Sequence, residues 1–128
     1  MKLYISGPMT GMPEHNFPAF HAAAADLRAQ GWTVENPAEH FNGAHGLPWE
    51  VYMVQDIHVI TRGCWGIAVL DGWEGSRGAR LEVLLGRSCR LNLLKYRPGR
   101  TPVTLGEDEI RRAVWGSTSP IAASASSI

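Results

Sequence analysis

The chain is a series of short apolar runs that end in glycine, proline or asparagine and hand over to segments of helical period. Residues 2–6 are largely apolar and stop at Gly7-Pro8, the pattern of a buried strand. Asn16 then stands as a helix cap with Pro18 in the first turn. Phe17, Phe20, Ala24 and Leu27 follow at the spacing that lays one helix face on a sheet, and Gly31 stops the run. Residues 32–35 read as a second strand, closed by Asn36-Pro37. The stretch from there to Pro48 carries Gly, Asn and His and is long enough to be a mobile flap. Pro48 opens a second helix, residues 49–62, in which Val51, Tyr52, Ile57, Val59 and Ile60 give apolar cover on more than one side.

After Gly63, residues 66–70 are apolar throughout apart from the leading glycine, as the centre of a parallel sheet requires. Ser76 caps a helix over residues 77–87, and residues 91–96 supply a fourth strand. Thr104 and Glu107 have capping-box spacing for a last helix, residues 105–114. From Gly116 the sequence is Ser- and Ala-rich without periodicity, so residues 1–115 read as one domain and 116–128 as a disordered tail. Strands alternating with helices imply right-handed crossovers. The fold class expected is α/β: a single-domain three-layer sandwich with a parallel, Rossmann-like or flavodoxin-like sheet of four to five strands and helices on both faces.

Composition narrows the function classes. A domain of 128 residues buries about two-thirds of its unfolded surface without staples. Lys+Arg and Asp+Glu are both 12, so no global charge points to a nucleic acid polymer or a membrane surface. The charge is uneven along the chain: between Arg77 and Arg100 seven basic residues face the single acid Glu82. Such an excess suits a small phosphate, and equally a solvated face or a dimer rim. Cys64 and Cys89 lack redox or zinc spacing and read as buried thiols in a reducing compartment. No apolar run approaches the roughly 18 residues of a membrane span, and the first is too short for a signal peptide, so a soluble, cytoplasmic protein is expected.

Candidate chemistry gathers at two strand ends, where open α/β sheets seat their ligands. After the first strand come Ser6, Gly7 and Pro8, which make a plain tight turn or mark a strand end that leaves free N–H groups facing a ligand. After the third come Asp71, Gly72 and Trp73, then Ser76 and Gly78, then Glu82. Gly78 and Glu82 are four apart on one helical face, so no side chain at 78 covers the carboxylate. Asp56 sits in the second helix. Three acids in one crevice can divide labour between a nucleophile and groups that orient a sugar hydroxyl or protonate a leaving base. Plain alternatives stand beside each: a helix-surface acid for Glu82 and Asp56, a turn-former for Asp71, a simple cap for Ser76. Trp73 is the tryptophan best placed to line a pocket. Neither the dinucleotide fingerprint nor a P-loop is present, and the five histidines (15, 21, 40, 45 and 58) form no metal-binding motif, so no metal or cofactor is expected.

These segments resemble the nucleoside 2-deoxyribosyltransferase-like superfamily, and more closely a small branch of it common in bacteria and phages. The resemblance is carried by Tyr4-Ile5-Ser6-Gly7-Pro8-Met9-Thr10-Gly11, the Asn36-Pro37 pair, Tyr52-Met53-Val54-Gln55-Asp56, and the segment from Leu70 through Asp71-Gly72-Trp73 and Ser76 to Glu82. It covers residues 1–97 in order. It implies cleavage or transfer at the N-glycosidic bond of a nucleoside or nucleoside 5′-monophosphate, with Glu82 as the nucleophile. Asp71 would assist the departing base and Asp56 would place the sugar or the nucleophile. Tyr4, Ser6 and Gly7 would line the sugar pocket, Ser76 would help hold a 5′-phosphate, and Pro8, Asn36, Trp73 and Gly78 complete the expected substrate-binding set. It also implies a homodimer or larger assembly. Asp71 and Glu82 are eleven positions apart, more than in the typical transferase, and the loop after Asn36-Pro37 has no counterpart to carry across. A non-catalytic nucleotide-sensing module is the alternative, and a protein docking an acidic partner through its basic half a third.

Overall fold

The central strands are buried at consecutive positions, as a core on both faces of the sheet demands. The computed structural model describes residues 1–44 and 46–115, and the expected tail lies outside them. Strands β1 (Lys2–Ser6), β2 (Thr33–Glu35), β3 (Gly66–Val69), β4 (Asn92–Arg97) and β5 (Arg100–Thr104) form one sheet in the order β2-β1-β3-β4-β5. The first four are parallel, and β5 runs antiparallel to β4. Four helices connect or follow them: α1 (Phe17–Ala29), α2 (Trp49–Thr61), α3 (Arg77–Ser88) and α4 (Glu107–Trp115).

Because successive strand residues point to opposite faces, the sheet feeds two cores. Leu3, Ile5, Ala68, Leu70 and Leu94 pack with Phe20, Ala23, Ala24 and Leu27 of α1. Tyr4, Ile67, Val69 and Leu93 pack with Ile60 of α2, Ala79 and Val83 of α3, and Ile110, Ala113 and Val114 of α4. Gly86 lets α3 lie close to the sheet, since a Cβ there would stand 2.6 Å from the Ile67 Cδ1.

Several expectations are corrected. Residues 100–104, for which the sequence pattern suggested no strand, form β5. Pro102 and the turn glycine Gly99 (φ 68°) disguise the segment, because proline is tolerated in a sheet only where no ladder N–H is needed, as on an edge. The hairpin is tied to α1 through Asp26, whose Oδ2 accepts from both the Tyr96 hydroxyl and the Gly99 N–H at 2.7 Å. Thr104 ends this strand and so opens no capping box; α4 begins at Glu107. Asn16 precedes α1 in a left-handed conformation (φ 59°) and its side chain does not cap the helix; its Nδ2 donates to the Pro8 carbonyl at 2.9 Å instead. The supposed flap contains short 3-10 turns over Pro37–Gly43, opened by Asn36, whose side-chain oxygen accepts from the Ala38 N–H. Cys64 is buried as expected, but Cys89 is exposed.

Candidate functional site

At the centre of the sheet β1 and β3 lie side by side, and the chain leaves them in opposite directions. From β1 it passes to α1 on one face, and from β3 through Trp73–Gly75 to α3 on the other. This divergence opens a crevice beyond the carboxyl ends of the two strands. A cleft of about 510 Å³ fills it, lined from β1 and its following loop by Tyr4, Gly7, Pro8, Met9, Thr10 and His15. Helix α2 adds Trp49, Tyr52, Met53 and Asp56, and α3 with the turn before it adds Ser76, Arg77, Gly78 and Glu82. Gly7 is required for this closeness, since a Cβ would lie 2.9 Å from the Leu70 Cβ. A larger but shallower depression of about 620 Å³ at the amino ends of the strands, between Met1, Trp32 and Arg100, contains no carboxylate.

Glu82 projects from the second turn of α3 and is only 5% exposed. The Tyr4 hydroxyl donates to its Oε2 and the Ser6 hydroxyl to its Oε1, both at 2.7 Å. Tyr4 and Ser6 are two apart on β1, so strand alternation aims both hydroxyls at one carboxylate and locks its plane. Burial, above all, pushes the Glu82 carboxyl well above its ordinary range, and the nearby Asp56 carboxylate adds to this against the two hydroxyl donors. Burial also raises the Tyr4 phenol, with Glu82 and Asp56 contributing, so Tyr4 keeps the proton it donates.

Asp56 is buried beside this pair and faces a residue the motifs did not single out. His40 places Nδ1 3.5 Å from the Asp56 Oδ1 and Nε2 3.5 Å from the Glu35 Oε2. The facing Asp56 carboxylate raises the His40 imidazole above its ordinary value, against the opposing effect of burial. Two segments that carry cleft or near-cleft side chains hold non-glycine residues in left-handed backbone: Glu14, His15 and Asn16 (φ 52–59°), and Phe41 and Asn42 (φ 53° and 55°). Such residues cost of order 1–3 kcal/mol each and cluster where function demands a particular placement. The His15 ring stands 6.3 Å from that of Tyr52, whose other flank meets Phe41 at 5.8 Å. At the mouth the Arg77 guanidinium lies 3.8 Å over the Trp49 ring.

The structure thus brings together Tyr4, Ser6, Asp56 and Glu82, with Gly7, Pro8, Ser76 and Gly78 in the walls. Ser76 also caps α3, accepting from the Ala79 N–H at 3.2 Å. Three expected site residues fall elsewhere. Asp71 is exposed in the turn after β3 and lies outside the cleft lining. Trp73 is 1% exposed within the α3–α4 core, where its side chain buries more than a pocket wall would. Asn36 is buried as a turn former, its Nδ2 3.2 Å from the His21 Nδ1. What sequence reasoning missed on α2 was legible: Trp49, Tyr52 and Met53 stand at i, i+3 and i+4 to the expected Asp56 at i+7, a single helical face. His15 and His40 had no such signal, because each is placed by a left-handed turn.

Among the described residues no group of three or more His, Cys, Asp or Glu is arranged to hold a metal ion, and no helix is long and apolar enough to cross a membrane. A mostly parallel α/β sheet with a buried carboxylate at the point where its connections diverge defines the class of protein. Within that class the chain belongs to the family described as a domain of unknown function (DUF4406), which matches residues 1–95. No curated protein matches it.

Proposed function

We propose that the protein cleaves or transfers the N-glycosidic bond of a nucleoside or nucleoside 5′-monophosphate, with Glu82 as nucleophile. The reading rests on one observation: a buried carboxylate at the base of the cleft with a hydroxyl donor on each oxygen and a second carboxyl beside it. A carboxylate oriented in this way is suited to attack an anomeric carbon, and its charge favours the oxocarbenium-like centre that develops there. The proton that the raised Glu82 carboxyl holds passes to the adjacent Asp56 and frees Glu82 to attack; as the C–N bond breaks, its electron pair leaves with the base and Asp56 gives it that proton, Asp71 being exposed outside the cleft lining. Water or a second base then releases the sugar from Glu82. Trp49, Tyr52 and His15 supply aromatic walls for a base, while Ser76 and Arg77 at the mouth suit a 5′-phosphate. The strand order and the divergence at β1 and β3 favour the flavodoxin-like form of a three-layer sandwich.

A second reading, a nucleotide-sensing module without turnover, is favoured by the raised Glu82 carboxyl, since a carboxyl that is harder to ionise is a poorer nucleophile. One experiment separates them. Purified protein is incubated with a panel of nucleosides and 5′-monophosphates, with and without a free second base, and base release or exchange is followed by chromatography. The expected result is turnover that Glu82→Ala abolishes. No turnover across the panel, with a nucleotide still raising the melting temperature, would establish the sensing module instead.

A further inference from the structure

We propose that His40 is a positioning residue for the reaction above: an imidazolium bridge between Glu35 and Asp56 that holds Asp56 against Glu82. The inference rests on that functional reading. Its geometry is independent of it. His40 has 12% of its side chain exposed, and each ring nitrogen faces a different carboxylate at 3.5 Å. A neutral imidazole would turn a bare lone pair toward one of the two acids, whereas the cation presents an N–H to both. Neither nitrogen makes a hydrogen bond, so each carboxylate is held at ion-pair distance alone. The backbone supports the placement: His40 is extended (φ −70°, ψ 153°), and Phe41 and Asn42 then turn left-handed, interrupting the 3-10 turns on either side of the ring.

The charged groups around the bridge come from each neighbouring element. Glu35 on β2 has Lys2 of β1 3.5 Å away. Glu39, next in the chain, is held by both terminal nitrogens of Arg28 of α1, so its charge is already partnered. Asp56 on α2 faces Tyr4 and Glu82 on its other side. Asp56 is thus the hinge between a hydroxyl–carboxylate cluster under the cleft and a His–Glu pair nearer the surface. When Asp56 gives its proton to the departing base, its new negative charge stands beside Glu82, which by then is bonded to the sugar. A cation 3.5 Å from the Asp56 Oδ1 offsets that charge, and water entering the second step returns its proton to Asp56.

The test uses His40→Asn, which keeps a neutral N–H donor near Nδ1, and Glu35→Gln, a change at a half-exposed site that leaves the cleft intact. For base release, His40→Asn is expected to lower kcat about tenfold with KM little changed, less than the roughly 10²–10⁴-fold that an acid–base group itself supplies. The alkaline limb of the kcat profile should vanish in His40→Asn and move to lower pH in Glu35→Gln. Wild-type kcat and pH profile in both variants would overturn the proposal. A second readout needs no turnover: imidazole titration followed by NMR should place His40 above an ordinary histidine, and lower it in both Asp56→Asn and Glu35→Gln. A His40 indifferent to both substitutions overturns the bridge even if base release is found. Absence of base release with the NMR coupling intact overturns the reaction assignment and with it the positioning role of His40 in that reaction.

Discussion

The chemistry of this site depends on how a buried carboxylate is kept usable. Glu82 is desolvated and sits beside Asp56, both of which disfavour its charge, while the hydroxyls of Tyr4 and Ser6 favour it. Its folded-state proton affinity is raised above the ordinary glutamate value of 4.5, so the folded protein binds a proton more readily than the unfolded chain. The stability from this group is therefore complete below about pH 4.5 and is lost as pH rises through the raised value. Glu82→Gln, uncharged at every pH, should melt higher than wild type at neutral pH, and thermal scans should show the gap closing toward pH 4.5. A gap that stays constant with pH would mean that Glu82 is not the group responsible. Tyr4→Phe removes one of the two donors at 2.7 Å. A hydrogen bond to a charged group is worth about 1.5–3 kcal/mol, so kcat for base release should fall roughly 10–100-fold with the fold retained, as steady-state kinetics beside a circular dichroism spectrum can check.

At the scale of elements, α3 does two tasks from one end. Its first turn lines the cleft, and Ser76 caps it through the Ala79 N–H. Ser76→Ala should cost about 1 kcal/mol, read as a lower denaturant midpoint with unchanged slope. If Ser76 also contacts a 5′-phosphate, KM for a monophosphate should rise while that for the matching nucleoside stays put. This cap was visible in the sequence because it is local: a serine, a glycine and a helical period within a few residues. The stripe of Trp49, Tyr52, Met53 and Asp56 on α2 was legible by the same rule, although its apolar neighbours Val51 and Ile57 obscured it. β5 was not, since its pairing with β4 satisfies backbone groups whatever the side chains, and Pro102 argued against a strand. Asn16 met the composition rule for a cap but is drawn instead to the Pro8 carbonyl eight residues back.

For the whole molecule, the face of α2 turned away from the cleft carries Val51, Val54 and Ile57 at 39%, 69% and 38% exposure, with Leu81 of α3 also exposed. Single exposed apolar residues are ordinary, but a stripe repeated on successive turns suits a protein contact. Self-association through this face is the expected outcome: the protein should sediment as a dimer, and Val54→Asp should shift it to monomer without lowering its helix content. A wild-type monomer at high concentration would remove the expectation. What the sequence determined alone was the alternation of strands and helices, the central run at residues 66–70, the cap at Ser76 and the candidacy of Tyr4, Ser6, Asp56 and Glu82. Each of these is encoded in residue type and in spacings of a few positions. Only the tertiary structure decided which acids meet. Asp56 reaches Glu82 because α2 and α3 pack on the same face of the sheet, whereas Asp71, only eleven residues from Glu82 in the chain, is turned to solvent. Only the fold, likewise, brought His40 between two carboxylates 5 and 16 positions away. Distances of that kind are set by packing and by left-handed turns, which leave no periodic trace in the chain.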